Sequence, residues 1–466
     1  MGLKVNRISM YCEVERRSLT RLVERVIRTN AKKGGLRMDR MNTTIGRWLM
    51  LIAAIIIVTL FTLLSETVFN VAAMAEENTI KIGCLFPMTG RAGRHGVDGE
   101  AAVKMAAEEI NKKGGVRGKK IELLFTDSKA EPAYSVRVAK RYIDEDKVDF
   151  LLGTVSSAVA LAVSEVAKEN KKILMCTGPA STRITVDKGH PYVFNTCSIT
   201  AWSARAGALW AQSEQKWKKY WYIGPDYEYG HTLWEDFWPF LKKLRPEVEL
   251  VGESWPKLFE PDYTAYITAV LKAKPDVLVS GFWGGDAVAF IKQAVPFKLF
   301  DQIPFLVPDV GGNYEIFEAL GESMPKGLIL GAHHHLNWPD TKLNREHVEK
   351  FYKRVGHYPV NITPQCEAGV HILAKAVEKV GNTKDTQALI AAMEGMKINT
   401  ALDPSGFTSY IRPLTHNLIY PYALGITERN DKYPPAKYML GNFRVFYPDK
   451  IDLTDEEVRE ARAKAK

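Results

Sequence analysis

The sequence has few of the residues, and none of the motifs, that mark common catalytic and metal-binding proteins. Only 5 cysteines and 10 histidines occur among its 466 residues. It contains no Gly-x-Ser-x-Gly elbow, no phosphate-binding Gly-rich loop and no His-Glu-x-x-His motif, and no serine, histidine and aspartate are spaced to single out a triad. We therefore expect a protein that is not an enzyme and that carries no cofactor and no metal.

A strong charge of one sign is missing from most of the chain. The formal net charge is +9, but the first 75 residues hold 12 Lys and Arg against 5 Asp and Glu. The remaining residues hold 51 against 49. This balance argues against the basic surface of a nucleic-acid-binding protein, so we expect no nucleic acid partner.

Long hydrophobic runs are absent except at residues 48–64. This run follows Arg47 and precedes an Ala-x-Ala sequence that ends at Ala75, a combination typical of a secretory signal peptide. We predict a signal peptide over 38–75, cleaved after Ala75, and hence a periplasmic or extracytoplasmic protein. Because the run is slightly long for a signal, an uncleaved membrane anchor is the alternative. No cysteine lies at the cleavage point, which argues against a lipoprotein.

Residues 1–37 precede this pattern, although a signal peptide stands at the true start of a chain. Codons for the Lys33-Gly34-Gly35 stretch can spell a purine-rich ribosome-binding site, and Met38 follows at a suitable distance. We therefore hypothesise that translation begins at Met38 and that 1–37 is a misassigned start. A disordered extension is the alternative.

Beyond residue 76, short apolar strands alternate with amphipathic helices, which predicts parallel sheets covered by helices. The alternation runs from Ile80 to Asn195 and restarts with a helix at Trp202. Two long helices and a Pro- and Tyr-rich segment follow. The predicted fold class is α/β, with two doubly wound Rossmann-like lobes.

One strand–turn–helix–strand–turn unit, residues 149–185, is central to the predicted site. Its turns place hydroxyl groups beyond the carboxyl ends of two strands, where ligands bind in such sheets. Ser156 and Ser157 lie in the first turn, and Ser181 and Thr182 lie in the second. A helix that begins here offers free N–H groups, which suit a ligand carboxylate. The alternative is that these hydroxyls only cap helices.

Several stretches, taken in order, carry a resemblance to a known family. They are residues 80–90, 107–115, 153–157, 178–182, 226–230, 262–265, 281–294 and 361–378. The ordered set resembles the type I periplasmic binding proteins, and most closely the leucine/isoleucine/valine-binding branch that serves ABC importers. The resemblance covers nearly all of 76–430. It implies a monomeric receptor that delivers a small ligand to an ABC permease and ATPase complex.

The resemblance also implies two lobes joined by a three-crossover hinge, which close on a ligand between them. The expected N-terminal lobe is 76–198 plus 333–411. The expected C-terminal lobe is 199–332 plus 412–446. Residues 447–466 are expected to form a charged tail.

By position, the resemblance implies partners for both charged groups of an amino acid. The ligand carboxylate is expected to meet Ser157 and the turn around Ala180 and Thr182, and the ammonium is expected to meet Asp309. A zwitterion that leaves water needs such charge-assisted partners. The acid at Asp309 therefore favours a ligand that bears an amine.

Aromatic residues are expected to form the walls of the site. They are Trp202, Tyr229, Phe282 and Trp283, joined by His95 at a position that is often aromatic in the family. Such walls favour a branched-chain or aromatic amino acid. An amide, a urea-like compound or an aromatic carboxylate is the alternative ligand. A ligand sensor of the same fold, anchored in the membrane and coupled to signalling, is the alternative function.

Two further groups of residues invite special chemistry. The run His333 to His335 suggests a metal, but only two of three successive side chains share a face of a strand, and zinc needs further ligands. We favour a polar crossover strand that gives pH sensitivity.

Cys176 and Cys197 lie on neighbouring predicted strands and are the only plausible disulfide pair, although buried free thiols are the expected state.

Overall fold

The computed structural model describes residues 79–465 and the single residue Ile56. The predictions for 1–37, for the signal peptide and for its cleavage therefore concern residues outside this range. The described part of the chain contains no helix with the length and apolar character that crossing a bilayer requires.

The first sheet confirms the first doubly wound unit that the sequence predicts. Its strands are β1 (Thr79–Phe86), β2 (Lys120–Asp127), β3 (Phe150–Gly153), β4 (Leu174–Cys176) and β5 (Val193–Asn195). All are parallel, in the spatial order β2-β1-β3-β4-β5. The connecting helices are α1 (Gly93–Lys112), α2 (Pro132–Asp144) and α3 (Ser157–Glu169). Every residue of β3 and β4 is buried, as expected for a parallel sheet covered on both faces.

A second parallel unit follows. Its strands are β6 (Lys219–Ile223), β7 (Glu249–Ser254), β8 (Val277–Ser280), β9 (Phe305–Val307) and β10 (Ile329–Gly331). Its helices are α4 (Thr200–Ser213), α5 (Glu228–Leu244), α6 (Thr264–Ala273), α7 (Gly284–Ala294), α8 (Leu299–Gln302) and α9 (Tyr314–Leu320). Alternating strands and helices again reflect the sequence pattern.

The chain then returns to the first sheet before it completes the second. It forms α10 (Lys342–Val355), α11 (Thr363–Val380), α12 (Thr386–Met393) and a small antiparallel sheet of β11 (Lys397–Ile398), β12 (Ser409–Ile411) and β13 (Leu418–Ile419). Ion pairs tie α10 to α1, including Lys350 Nζ to Glu109 Oε2 at 2.6 Å. Two antiparallel strands, β14 (Tyr422–Arg429) and β15 (Tyr438–Phe446), complete the second sheet in the order β15-β14-β10-β9-β8-β6-β7.

The chain therefore passes three times between the sheets, at residues 196–199, 332–341 and 420–421. The third passage differs from the expected boundary at 412. The hairpin of β12 and β13 stays with the first sheet, where Asn417 forms a bridge with Asn195. Pairing between such distant short strands leaves no periodic signal in the sequence.

Residues 447–466 also differ from the expected tail. They include two helices, α13 (Pro448–Ile451) and α14 (Asp455–Lys464). Arg205 of α4 pairs with Glu457 of α14 at 2.7 Å. Arg462 donates hydrogen bonds to three backbone carbonyls, those of Thr185, Val186 and Leu414. The charges of this segment thus bind it to elements associated with both sheets.

The four cysteines of the described residues are Cys84, Cys176, Cys197 and Cys366. All are free and buried, which is the expected state. Burial raises the pKa of Cys176 and of Cys366 to about 12.

Candidate functional site

A cavity lies between the two sheets. Its lining residues are His95, Val155, Ser157, Gly178, Ala180, Tyr227, Tyr229, Trp283, Val310, His333, Asn361 and Ile362. Most of them follow the carboxyl end of a parallel strand, which is where open α/β sheets bind ligands.

Five of the residues predicted from the sequence line this cavity together. They are His95, Ser157, Ala180, Tyr229 and Trp283. The first three belong to the lobe of the first sheet, and the last two belong to the lobe of the second. Because each follows or flanks a strand end that faces the gap between the sheets, distant segments of the chain meet here.

Ser157 is the first residue of α3, and the position before the helix is Ser156, which makes no side-chain cap. The sharp turn that leads there has left-handed backbone at Gly153 (φ 112°) and Thr154 (φ 62°). The Ser157 hydroxyl accepts a hydrogen bond from the N–H of Ser181 at 3.2 Å. The serine is therefore not used as a helix cap, and its oxygen faces the second turn of the site.

Thr182 is placed differently from its predicted role as a ligand residue. Its hydroxyl donates to Asp236 Oδ2 of α5 at 2.8 Å, and its N–H donates to Thr200 Oγ1 at 3.1 Å. Burial raises the pKa of Asp236 to about 6. Thr182 thus joins the two lobes beside the cavity and does not line it.

Phe282 and Trp202 also lie away from the cavity lining. Successive side chains alternate in direction after β8, so Trp283 turns to the cavity while Phe282 packs against Tyr263, with ring centroids 5.1 Å apart. The indole N–H of Trp202 donates to Asp452 Oδ1 at 2.8 Å. These two predicted wall residues instead stabilise the core of the second lobe and the C-terminal segment.

Asp309 lies directly before the lining residue Val310 and is fully buried. Its Oδ1 is 2.6 Å from Nε2 of His333, and the other ring nitrogen of His333 is 2.8 Å from Sγ of Cys197. Oδ2 of Asp309 has no hydrogen-bond partner among residues 79–465. Burial and the negative charge of Asp309 together raise the pKa of Tyr229. One carboxylate oxygen of Asp309 therefore contacts His333, and the other lies near Tyr229 without a hydrogen bond of good geometry within residues 79–465.

The three consecutive histidines do not share a site. His334 Nε2 lies 2.6 Å from Oδ1 of Asn344, and His335 Nε2 lies 3.2 Å from the carbonyl of Ala423. Within the described ranges, no group of three or more His, Cys, Asp or Glu side chains is arranged to hold a metal ion.

Ion pairs join the two lobes around the cavity. Arg91 Nη1 lies 2.9 Å from Asp286 Oδ1, and Arg94 Nη1 lies 3.0 Å from Glu318 Oε2. On the α5 side, Arg183 pairs with Glu228 at 3.0 Å. Since each pair takes one residue from each lobe, this structure is the closed arrangement of the two lobes.

Sequence reasoning missed seven lining residues, which are Val155, Gly178, Tyr227, Val310, His333, Asn361 and Ile362. Four of them lie within two residues of a predicted site residue and share its turn. Tyr227 stands in the same Asp-Tyr-Glu-Tyr-Gly motif as Tyr229, and Asn361 opens the last stretch that carries the family resemblance. The position of these residues beside predicted site residues, or within the motifs of the family resemblance, was the sequence signal that could have identified them.

Comparisons with known proteins agree with this arrangement. A family model described as periplasmic binding protein matches residues 79–429. A Leu/Ile/Val-binding protein of Rhizobium johnstonii is 28% identical over 343 residues, which cover 73% of this chain and 90% of that protein.

Solved structures are similar over most of the chain. A periplasmic binding protein from Burkholderia mallei has a TM-score of 0.74 at 24% identity, covering 82% of this chain and 98% of the other. A solute-binding protein of an ABC transporter from Rhodopseudomonas palustris, in complex with 3,4-dihydroxybenzoic acid, has a TM-score of 0.70 at 26% identity. It covers 79% of this chain and 98% of the other.

Proposed function

This chain belongs to the periplasmic binding protein family, and we propose that it is the extracytoplasmic solute receptor of an ABC importer, with an amino acid as its ligand. The observation that carries the proposal is the cavity between the lobes, which is lined by Ser157 and which has Asp309 directly beside its lining residue Val310. Ser157 and the start of α3 supply hydrogen-bonding groups suited to a carboxylate. Asp309 supplies a buried carboxylate oxygen suited to an ammonium.

The proposed binding geometry follows from these partners. The ligand carboxylate meets the Ser157 hydroxyl and the turn at Gly178 and Ala180, while the ammonium meets Asp309 Oδ2. Tyr229 and the other aromatic lining residues cover the remainder of the ligand. Relatives that are named as Leu/Ile/Val-binding proteins support an amino acid as the ligand class.

An aromatic carboxylate is the second candidate ligand, and one contact favours it. His333 Nε2 lies 2.6 Å from Asp309 Oδ1, so Asp309 already has a buried hydrogen-bond partner without any ligand amine. The relative in complex with 3,4-dihydroxybenzoic acid supports the same class. The two candidates differ in whether Asp309 contributes to affinity.

The test is a calorimetric titration of the purified protein and of Asp309→Asn with amino acids and with hydroxybenzoates. An amino acid is expected to bind the wild type and to lose roughly a hundredfold in affinity in Asp309→Asn, since a buried charge pair contributes about 3 kcal/mol. Asp226→Asn is the matched control, because Asp226 is exposed and pairs with the partly exposed His231. Tight hydroxybenzoate binding that survives Asp309→Asn would replace the amino acid proposal with the second candidate.

Export and delivery are part of the same proposal. We expect the mature chain to begin near Glu76 after signal cleavage, to be monomeric and to dock on an ABC permease. Mass spectrometry of the protein recovered from outside the cytoplasm measures the first residue directly. A chain that retains residues 38–75 in the membrane fraction would favour the anchored form.

A further inference from the structure

A cluster of four polar side chains borders the cavity. A purely aliphatic ligand would need apolar contacts in its place. Its members are His95, Asn361, Asn313 and Glu315, with His95 and Asn361 in the lining itself. Their exposed fractions are 3%, 2%, 0% and 8%. Polar groups buried to this extent need hydrogen-bond partners, because an unpaired one destabilises the folded state.

The cluster leaves specific atoms without partners. Nδ2 of Asn313 donates to Glu315 Oε1 and also lies 3.3 Å from Nε2 of His95. Nδ1 of His95 and both amide atoms of Asn361 make no hydrogen bond of good geometry within residues 79–465, although Asn361 lies near enough to His95 to raise its pKa slightly against the larger effect of burial. Two buried side chains of the cavity lining therefore retain unused hydrogen-bonding capacity.

The available groups on these two side chains are neutral. Burial lowers the pKa of His95 to about 4, so the ring is uncharged near neutral pH. The Asn313 amide nitrogen lies 3.3 Å and the Glu315 carboxyl oxygen 3.5 Å from Nε2, and Nδ1 donates or accepts according to which ring nitrogen carries the proton. Asn361 adds one donor nitrogen and one acceptor oxygen. The unpaired atoms therefore offer both donors and an acceptor without a net charge.

Nearby charges disfavour an anionic group at this position. Arg94, the neighbouring cation, is engaged with Asp98 at 3.1 Å and with Glu318 at 3.0 Å. Glu315 contributes a carboxyl group whose pKa burial raises to about 7. A ligand carboxylate placed here would face Glu315 and would find Arg94 already paired.

We propose that the side chain of the ligand ends in a carboxamide, which exchanges hydrogen bonds with His95 Nδ1 and with the amide group of Asn361. This inference rests on the proposed function, in which Ser157 and Asp309 hold the amino acid backbone of the ligand. It selects asparagine or glutamine over the branched aliphatic amino acids. An isopropyl group in the same place would leave the buried atoms of His95 and Asn361 unpaired.

Three amino acids of nearly equal shape test the inference. The side chain ends in a carboxamide in asparagine, in an isopropyl group in leucine and in a carboxylate in aspartate. Glutamine, with one more methylene than asparagine, is tested beside them. In calorimetric titrations of the purified protein, the better-fitting carboxamide is expected to bind at least about tenfold more tightly than leucine and aspartate. If asparagine is the better ligand, the distance from the amino acid backbone of the ligand to His95 and Asn361 fits a side chain with one methylene. If glutamine is the better ligand, the distance fits a side chain with two methylenes.

The variants His95→Phe and Asn361→Leu are expected to remove this preference and to bring leucine level with or ahead of the carboxamides. His371→Phe is the matched control, since His371 lies outside the cavity lining, and it should keep the wild-type order. Circular dichroism melts establish that each variant is folded, and either cavity variant alone suffices if the other unfolds.

The outcomes separate this inference from the proposal on which it rests. Leucine binding more tightly than both carboxamides in the wild type, with no change in the two variants, overturns the carboxamide inference and leaves an amino acid receptor. Failure of every amino acid to bind, with or without binding of hydroxybenzoates, overturns both.

Discussion

The ion pair between Arg91 and Asp286 predicts how fast the closed protein releases its ligand. Arg91 lies before α1 of the first lobe, and its Nη1 donates to Asp286 Oδ1 and to the carbonyl of Glu260, each at 2.9 Å. Asp286 is fully buried, whereas the Arg91 side chain is 34% exposed. Both contacts cross between the lobes and are therefore lost whenever the lobes separate.

The expected effect of Arg91→Ala can be worked from these contacts. Two hydrogen bonds from a charged donor contribute up to about 3 kcal/mol each when buried, but the exposure of Arg91 reduces this, and we take about 2 kcal/mol in total. Because the contacts form only after the lobes meet, the loss falls on the dissociation rate, which should rise roughly 30-fold. Burial raises the pKa of Asp286, so the difference between variant and wild type should shrink as Asp286 becomes protonated at low pH.

Stopped-flow tryptophan fluorescence, to which the cavity-lining Trp283 contributes, measures ligand release from the wild type and the variant. Arg137→Ala is the matched control, because Arg137 is an exposed residue whose side chain bonds within its own helix. A dissociation rate unchanged in Arg91→Ala, or an association rate slowed by the same 30-fold factor, would refute the assignment of this pair as a closure contact.

Three further predictions concern stability and reactivity. Burial raises the pKa of Asp236 in the folded protein to about 6, above its unfolded value of about 4. Its ionisation therefore destabilises the fold as pH rises from about 4 to 6, and the melting temperature of Asp236→Asn should gain on that of wild type over this window. Arg462→Ala should lower the free energy of unfolding by about 1–3 kcal/mol in urea titrations, because it removes three hydrogen bonds to carbonyls, whereas the exposed Arg459→Ala should change it by less than about 0.5 kcal/mol. The buried thiols, including Cys176 and Cys366, should not react with a thiol reagent in the native protein at pH 8 and should all react in denaturant; rapid native labelling would contradict their burial.

The sequence alone determined the parts of this protein that depend on local patterns. Alternating apolar strands and amphipathic helices predicted both sheets and the helices between them, since the spacing of apolar residues that distinguishes a strand from a helix can be seen within a short stretch of sequence. The position of Ser157 beyond a strand end predicted that it lies at the binding edge of the sheet, because all parallel strands of a sheet end at one edge. Ala180 was predicted from the family resemblance. The strands β14 and β15, which are eight and nine residues long and lie inside the Pro- and Tyr-rich segment, were not predicted. They form a local hairpin, but the pairing of β14 with β10, which adds them to the second sheet, joins distant parts of the chain.

Only the tertiary structure decided which polar side chains form hydrogen bonds within the protein and which have atoms that can still bind a ligand. Thr182 looked like a ligand residue, but its hydroxyl is used by Asp236, which lies 54 residues away in the sequence. One carboxylate oxygen of Asp309 contacts His333. His95 contacts the amide of Asn313, which lies 218 residues away in the sequence. Hydrogen bonds depend on distance and angle in space, and long-range pairs leave no periodic trace in the sequence. The lobes were therefore predictable from the sequence, whereas the unpaired atoms that give the cavity its chemistry became visible only once the chain was folded.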